Sequence, residues 1–159
     1  NHGRTTHYDY DRLGFNYRMS DIFASIVEVN LKNFDSELVT RRQQASRYSE
    51  RFSSMDIEYI IQDSFGPSVF HQFVLIHENR DEFIGALNDS GIGTSIVYPV
   101  LLHTTELFSD SIYVTSDVDC GWDGRIANNC FSLPIGNHLA DVDIEYIIDQ
   151  VIQIAKRMN

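Results

Sequence analysis

A chain of 159 residues with 43% apolar side chains can bury one ordinary hydrophobic core, so composition alone implies a single compact unit. Twelve Lys and Arg against 23 Asp and Glu leave a formal charge of -11, which argues against binding a nucleic-acid backbone or an anionic membrane surface. The first eighteen residues run the other way, Arg4, Arg12 and Arg18 outweighing Asp9 and Asp11, so an anion site is expected near the start.

Ser20 is a plausible N-cap for a helix running to Phe34, with Ile22, Ile26 and Val29 on one flank and Phe23, Val27 and Leu31 beside them. A helix apolar on most sides is expected to be covered by its own domain and by a second surface. Asp35 or Ser36 should cap a second helix, long and amphipathic, in which Leu38, Ala45, Tyr48 and Phe52 recur on one face. Arg41, Arg42, Arg47 and Arg51 occupy mainly the other faces of that helix. Residues 57–61 and 69–76 read as strands, the second rich in aromatic and β-branched residues, with Phe65-Gly66-Pro67 as punctuation between them. Asn79 and Glu82 resemble a capping box opening a helix that buries Phe83, Ile84 and Leu87 and stops at Gly91. Residues 93–98 predict another strand, broken by Pro99. A short helix is expected over 104–108, a polar loop over 110–119, and a brief strand over 131–135. From Asp141 onward Ile144, Ile147, Ile148, Val151, Ile154, Ala155 and Met158 form a helical stripe. Strand, helix and strand in this order predict an α/β chain built as a small α+β layer.

Two cysteines, Cys120 and Cys130, match neither a redox pair nor a disulfide framework and read as reduced thiols of a cytoplasmic protein. No stretch resembles a signal peptide or a transmembrane segment. Six histidines show no metal-ligand spacing, so no metal is expected. Asn88-Asp89-Ser90 fits the end of a helix better than a glycosylated loop. The opening segment is polar, aromatic and without a starting methionine, which reads as the middle of a domain and predicts that the chain is a fragment.

Gly14-Phe15-Asn16-Tyr17-Arg18-Met19-Ser20-Asp21 resembles the glycine-x-asparagine-x-arginine-methionine signature of the DegT/DnrJ/EryC1/StrS family of sugar aminotransferases. Further blocks agree with that family in order. They are Arg41-Arg42-Gln43-Gln44-Ala45 through Tyr48, Arg80-Asp81-Glu82 with Gly91-Ile92-Gly93-Thr94, Tyr98-Pro99 with His103, and Phe131-Ser132-Leu133-Pro134-Ile135 with Leu139. Any one of them occurs by chance; the ordered set is far more specific. Val97 and Leu101 stand where many relatives carry histidine and proline.

The resemblance implies a type I pyridoxal-phosphate fold and a homodimer joined through the first helix and the signature segment. It also implies transfer of an amino group, typically from glutamate, to a nucleotide-linked keto sugar. Residues 1–34 would then be a remnant of the large cofactor-binding domain, and residues 35–159 the connecting helix with the small carboxy-terminal domain. The cofactor acts as an electron sink, and a Schiff-base lysine holds it and shuttles the proton. Lys32 and Lys156 are the only lysines, and neither lies in the family's lysine context, so no catalytic residue is expected in this chain. Asn16 and Arg18 match the pair that reaches a partner subunit's cofactor phosphate or substrate diphosphate, a carboxamide donor beside a guanidinium fork. Tyr17, between them, should face the core. Tyr98 and His103 match a segment bordering the substrate, although a backbone-bonded structural role is equally open for His103. Two other readings stay open: a non-catalytic dimerisation module, and part of a pyridoxamine-phosphate-dependent sugar dehydratase in which histidine replaces the lysine.

Overall fold

No glycine or proline interrupts the chain between Asp21 and Ser53, and these residues form one continuous helix, α1, in place of the two expected from the sequence. Ser36 does not cap a new helix. Its Oγ bonds back to the carbonyl oxygen of Asn33 at 2.8 Å, so the hydroxyl is satisfied without breaking the ladder. The start is as expected: Ser20 Oγ accepts from the Phe23 amide at 3.4 Å. A computed structural model describes residues 3, 6, 8, 9, 11–60, 66–108 and 123–158. The expected polar loop over 110–119 and Cys120 lie outside the described residues.

Two compact units make up the chain, Asn1–Ser36 and Glu37–Asn159, where composition alone implies one. Among the described residues of the first unit the apolar side chains form no core. Ile22, Phe23, Ile26, Val27, Val29 and Leu31 are all exposed, so the helix expected to be covered by its own domain has no cover within the described residues.

The second unit has its own core. Strands β1 (Phe73–Ile76) and β2 (Cys130–Leu133) pair antiparallel, with Phe73 opposite Leu133 and Ile76 opposite Cys130. The strands expected over 57–61 and 93–98 are reduced to single bridges, Tyr59 to Leu75 at one edge and Ser95 to Ser132 at the other. Residues 69–72 do not join β1. Phe70 adopts a positive φ of 43°, and α1 holds the loop before it, Arg42 donating to the Ser68 carbonyl at 3.0 Å and Arg41 to the Phe70 carbonyl at 3.4 Å.

Helix α2 (Arg80–Asp89) follows β1, but its capping box does not form: Asn79 makes no side-chain cap bond. Its amide instead donates to His77 Nδ1 at 3.1 Å. The exit is as expected, because Gly91 has φ 76° and its amide donates to Asn88 while the Ile92 amide donates to Leu87, both at 2.9 Å. The short helix expected over 104–108 is a pair of single 3-10 turns, Leu102–Thr104 and Glu106–Phe108. Helix α3 (Asp123–Asn129), not foreseen, leads directly into β2.

Helix α4 (Asp141–Met158) buries Ile144, Ile147, Ile148, Val151, Ile154 and Ala155 against the sheet and α2, with Lys156 and Arg157 in its last turn, where they complement the helix dipole. Tyr48, Phe52, Phe73, Phe83 and Phe131 fill the centre of this core, each at most 2% exposed. Burial of each such side chain contributes roughly 1.5 to 3 kcal/mol, which makes this layer the main source of stability.

Candidate functional site

The signature segment lies in the first unit and carries no helix or strand between residue 13 and the N-terminus of α1. Its side chains meet two residues apart, residue 15 with residue 17 and residue 16 with residue 18. Phe15 and Tyr17 stack at 5.3 Å with their ring planes 15° apart. Arg18 Nε donates to Asn16 Oδ1 at 3.2 Å. The two sequence candidates are therefore brought together, and both are exposed. Tyr17 is 87% exposed and does not enter a core, because the described residues of the first unit offer none.

Arg18 makes its bond to a neutral amide, and among the described residues no carboxylate pairs with it. Arg12 differs. It forks onto Asp11, Nη2 to Oδ2 at 2.8 Å, and this hydrogen bond lowers the Asp11 carboxyl below its ordinary range. Arg18, with no carboxylate partner among the described residues, and the Asn16 NH2 group together offer several hydrogen-bond donors on an exposed surface. That donor set suits a phosphate group, which carries only acceptors when fully ionised.

Tyr98 and His103 belong to the second unit. Tyr98 is 83% exposed and has a positive φ of 58°, a conformation that costs a side-chain-bearing residue roughly 1 kcal/mol or more. Pro99, Val100 and Leu102 beside it are exposed as well. His103 sits in the Leu102–Thr104 turn, its side chain outside the described part of the molecule.

The sequence did not single out a cavity of about 310 Å³ in the second unit, lined among others by Leu75, His77, Phe83, Arg125 and Met158. At its rim Arg125 grips Glu58 in a fork, Nη1 to Oε1 at 2.7 Å, and lowers the Glu58 carboxyl below its usual range. Because α3, which carries Arg125, shows no apolar periodicity, no pattern in the sequence marks this cavity. Both lysines are exposed: Lys32 on α1 pairs with Glu28 at 3.5 Å, and Lys156 lies on α4. No helix among the described residues is long and apolar enough to cross a membrane.

The family model of DegT/DnrJ/EryC1/StrS aminotransferases matches residues 1–152. The chain belongs to that family. A dTDP-3-amino-3,4,6-trideoxy-alpha-D-glucose transaminase of Streptomyces venezuelae is 26% identical over 160 residues, covering 100% of this chain and 42% of that protein. A UDP-N-acetyl-3-dehydro-alpha-D-glucosamine 3-aminotransferase of Acidithiobacillus ferrooxidans is 28% identical over 147 residues, covering 92% of this chain and 39% of that protein. Among solved structures, DesV of S. venezuelae superposes with a TM-score of 0.82 at 26% identity, over 100% of this chain and 43% of that one. This member of the DegT/DnrJ/EryC1/StrS family thus spans about 40% of the length of the curated relatives it matches. Its α/β architecture, helix-rich around a small antiparallel sheet, is that of the corresponding part of those aminotransferases.

Proposed function

We propose that this chain is the carboxy-terminal part of a pyridoxal-phosphate-dependent aminotransferase that moves an amino group, with glutamate as donor, onto a nucleotide-linked keto sugar. The parent enzyme would serve amino-sugar or cell-surface polysaccharide synthesis in the cytoplasm and act as a homodimer. Membership of the family and the activities named for its sugar-aminotransferase relatives support the reaction class. The observation that carries the reading is the exposed Asn16–Arg18 pair, with its remaining donors available to a phosphate oxygen.

Pyridoxal phosphate, when bound, supplies the electron sink. This chain supplies binding and orientation: Arg18 grips a phosphoryl group of cofactor or substrate in a neighbouring subunit, and Tyr98 and His103 border the sugar. Lys32 and Lys156 are exposed, which supports the reading that the lysine holding the cofactor belongs to a part of the parent other than this chain. Residues 1–34 are then the remnant of the large domain, and residues 35–159 the connecting helix and small domain.

The test is to incubate the full-length parent with pyridoxal phosphate, glutamate and a panel of UDP- and dTDP-linked keto sugars. Sugar-dependent release of 2-oxoglutarate, with the amino sugar seen by mass spectrometry, is expected. Loss of water from the sugar without consumption of glutamate would replace the reading with a dehydratase, and no turnover of any sugar would overturn it.

A further inference from the structure

We infer that the cavity of about 310 Å³ in the second unit is a binding site for a small organic cation, a single ring or short apolar chain ending in an amidinium or ammonium group. Its volume lies at the lower edge of the roughly 300 to 1,000 Å³ typical of ligand cavities, so it has room for a ring-sized body and not for a nucleotide-linked sugar. Tyr98, proposed above to border that sugar, is not among its described lining residues.

The floor is apolar and preformed. Leu75 on β1, Phe83 on α2 and Phe131 on β2 come from three packed elements and are each 1% exposed, so the bottom of the cavity belongs to the core. Partly buried Met158 closes one side from the end of α4. His77 stands edge-on to Phe83, with ring centroids 4.9 Å apart, and its Nδ1 accepts the Asn79 amide at 3.1 Å. That nitrogen carries no proton while the bond is made, so His77 adds no positive charge to the mouth.

Charge at the mouth selects the sign of the ligand. Three carboxylates, Asp56, Glu58 and Glu78, line it against one guanidinium, Arg125. Both oxygens of Glu58 accept from Arg125, Oε1 from Nη1 at 2.7 Å and Oε2 from Nη2. Arg125 is raised above its ordinary pKa first by that hydrogen bond and last by the charge of Glu78, so Glu78 lies near the fork without joining it. Among the described residues neither Asp56 nor Glu78 makes a side-chain hydrogen bond or ion pair, and the Asn79 side chain makes no cap bond. Carboxylate and amide oxygens without donors, set around an apolar floor, suit a cation rich in N–H groups and repel an anion. The net negative charge of the chain draws any cation toward its surface, whereas the aromatic floor favours one that carries an apolar body.

Methyl NMR spectra of the full-length parent test this, with benzamidine as the probe and benzamide and benzoate as its neutral and anionic counterparts. Benzamidine is expected to shift the methyl signals of Ile57, Leu75 and Met158 to saturation and to bind about tenfold more tightly than benzamide, with no saturable shift from benzoate. Glu78→Gln and Asp56→Asn, both at exposed positions, should each weaken benzamidine about threefold, as expected for an exposed ion pair. Asparagine also tolerates the positive φ of 56° at position 56, so the turn after α1 is kept. Asp89→Asn, an exposed acid that does not line the cavity, should leave the affinity unchanged. Benzamide binding as tightly as benzamidine would overturn the selection by charge. Shifts that spread over the acidic surface without saturating, or an affinity unaltered in both cavity variants, would overturn the site itself.

Discussion

Gln44, buried on α1, closes a pair of hydrogen bonds with the backbone of Gly136: Nε2 donates to the Gly136 carbonyl at 3.1 Å, and the Gly136 amide donates to Oε1 at 2.8 Å. One side chain thereby satisfies both polar groups of a buried residue in the loop before α4. Gln44→Leu preserves the volume and removes both partners. It is expected to cost about 2 kcal/mol or more, since each orphaned buried group costs roughly 1 to 3 kcal/mol. Urea unfolding read at the far-ultraviolet helix signal checks this, and a stability within 0.5 kcal/mol of the parent would refute the pairing.

Tyr48 makes a related connection one turn further along α1, its hydroxyl donating to the Pro134 carbonyl at 2.9 Å. Its ring stacks on Phe52 at 5.6 Å and tilts against Phe73 at 5.0 Å. Burial pushes the phenol pKa well up, so the hydroxyl stays a neutral donor across the pH range in which the protein folds. Tyr48→Phe should therefore cost about 1 kcal/mol for the lost bond, and Tyr48→Ala about 3 to 5 kcal/mol for the cavity. Equal losses in the two variants would mean that the ring contributes little.

The difference between those two contributions also marks what the sequence could reveal. Tyr48 and Phe52 were legible as core because burial follows helical periodicity, and the stripe from Ile144 to Ala155 was legible for the same reason. Gly91 as a stop was legible too, since a positive φ there follows from the residue type. Gln44, Arg41 and Arg42 were legible only as part of a family block, because their partners are backbone atoms far away in the chain. The strands over 57–61 and 93–98 failed because a short run bounded by turn residues reports a segment that can lie beside a sheet, not a full ladder, and each segment makes one bridge. At the candidate site the spacing of Asn16 and Arg18 was enough to group them as one candidate. Their mutual bond was not legible, because spacing does not specify which polar atoms meet.

Gly91 gives a cleaner conformational test. A Cβ added there would touch nothing within 4 Å, so Gly91→Ala introduces no clash and its cost is that of a φ of 76° alone. A loss of about 1 kcal/mol is expected, and Gly91→Asn should lose less, because asparagine tolerates the left-handed region better. Thermal unfolding of the two variants decides it; an alanine variant as stable as the parent would show that the helix exit rearranges.

The Glu58–Arg125 fork predicts how stability responds to acid. The Arg125 hydrogen bond lowers the folded-state pKa of Glu58 below its unfolded value, so the stabilisation is complete above the ordinary carboxylate range, about 4.3 for glutamate. It is lost as pH falls through the folded value. The Arg47–Asp141 pair, which lowers Asp141 in the same way, adds loss of the same sign. Glu58→Gln should therefore flatten, without abolishing, the fall of the urea midpoint between roughly pH 5 and 3, and raised salt should shrink the difference between the proteins. An unaltered slope in Glu58→Gln would show that the fork does not persist in solution.

The exposed apolar face of α1 carries the last prediction. Ile22 is 75% exposed, and Phe23, Ile26 and Val29 are exposed beside it, on a helix whose Ser20 cap and unbroken hydrogen-bond ladder hold it in place. A patch of this kind in water favours association, and the homodimer proposed for the parent would place a second copy there. Phe23→Asp with Ile26→Asp puts charges in the middle of that face, where burial without partners costs several kcal/mol per charge, while the second unit and its core are untouched. Sedimentation equilibrium should show the parent self-associating and the double variant monomeric, with the Tyr48 and Phe52 core unfolding at the same urea concentration in both. A parent that stays monomeric at high concentration would remove this face as the dimer contact.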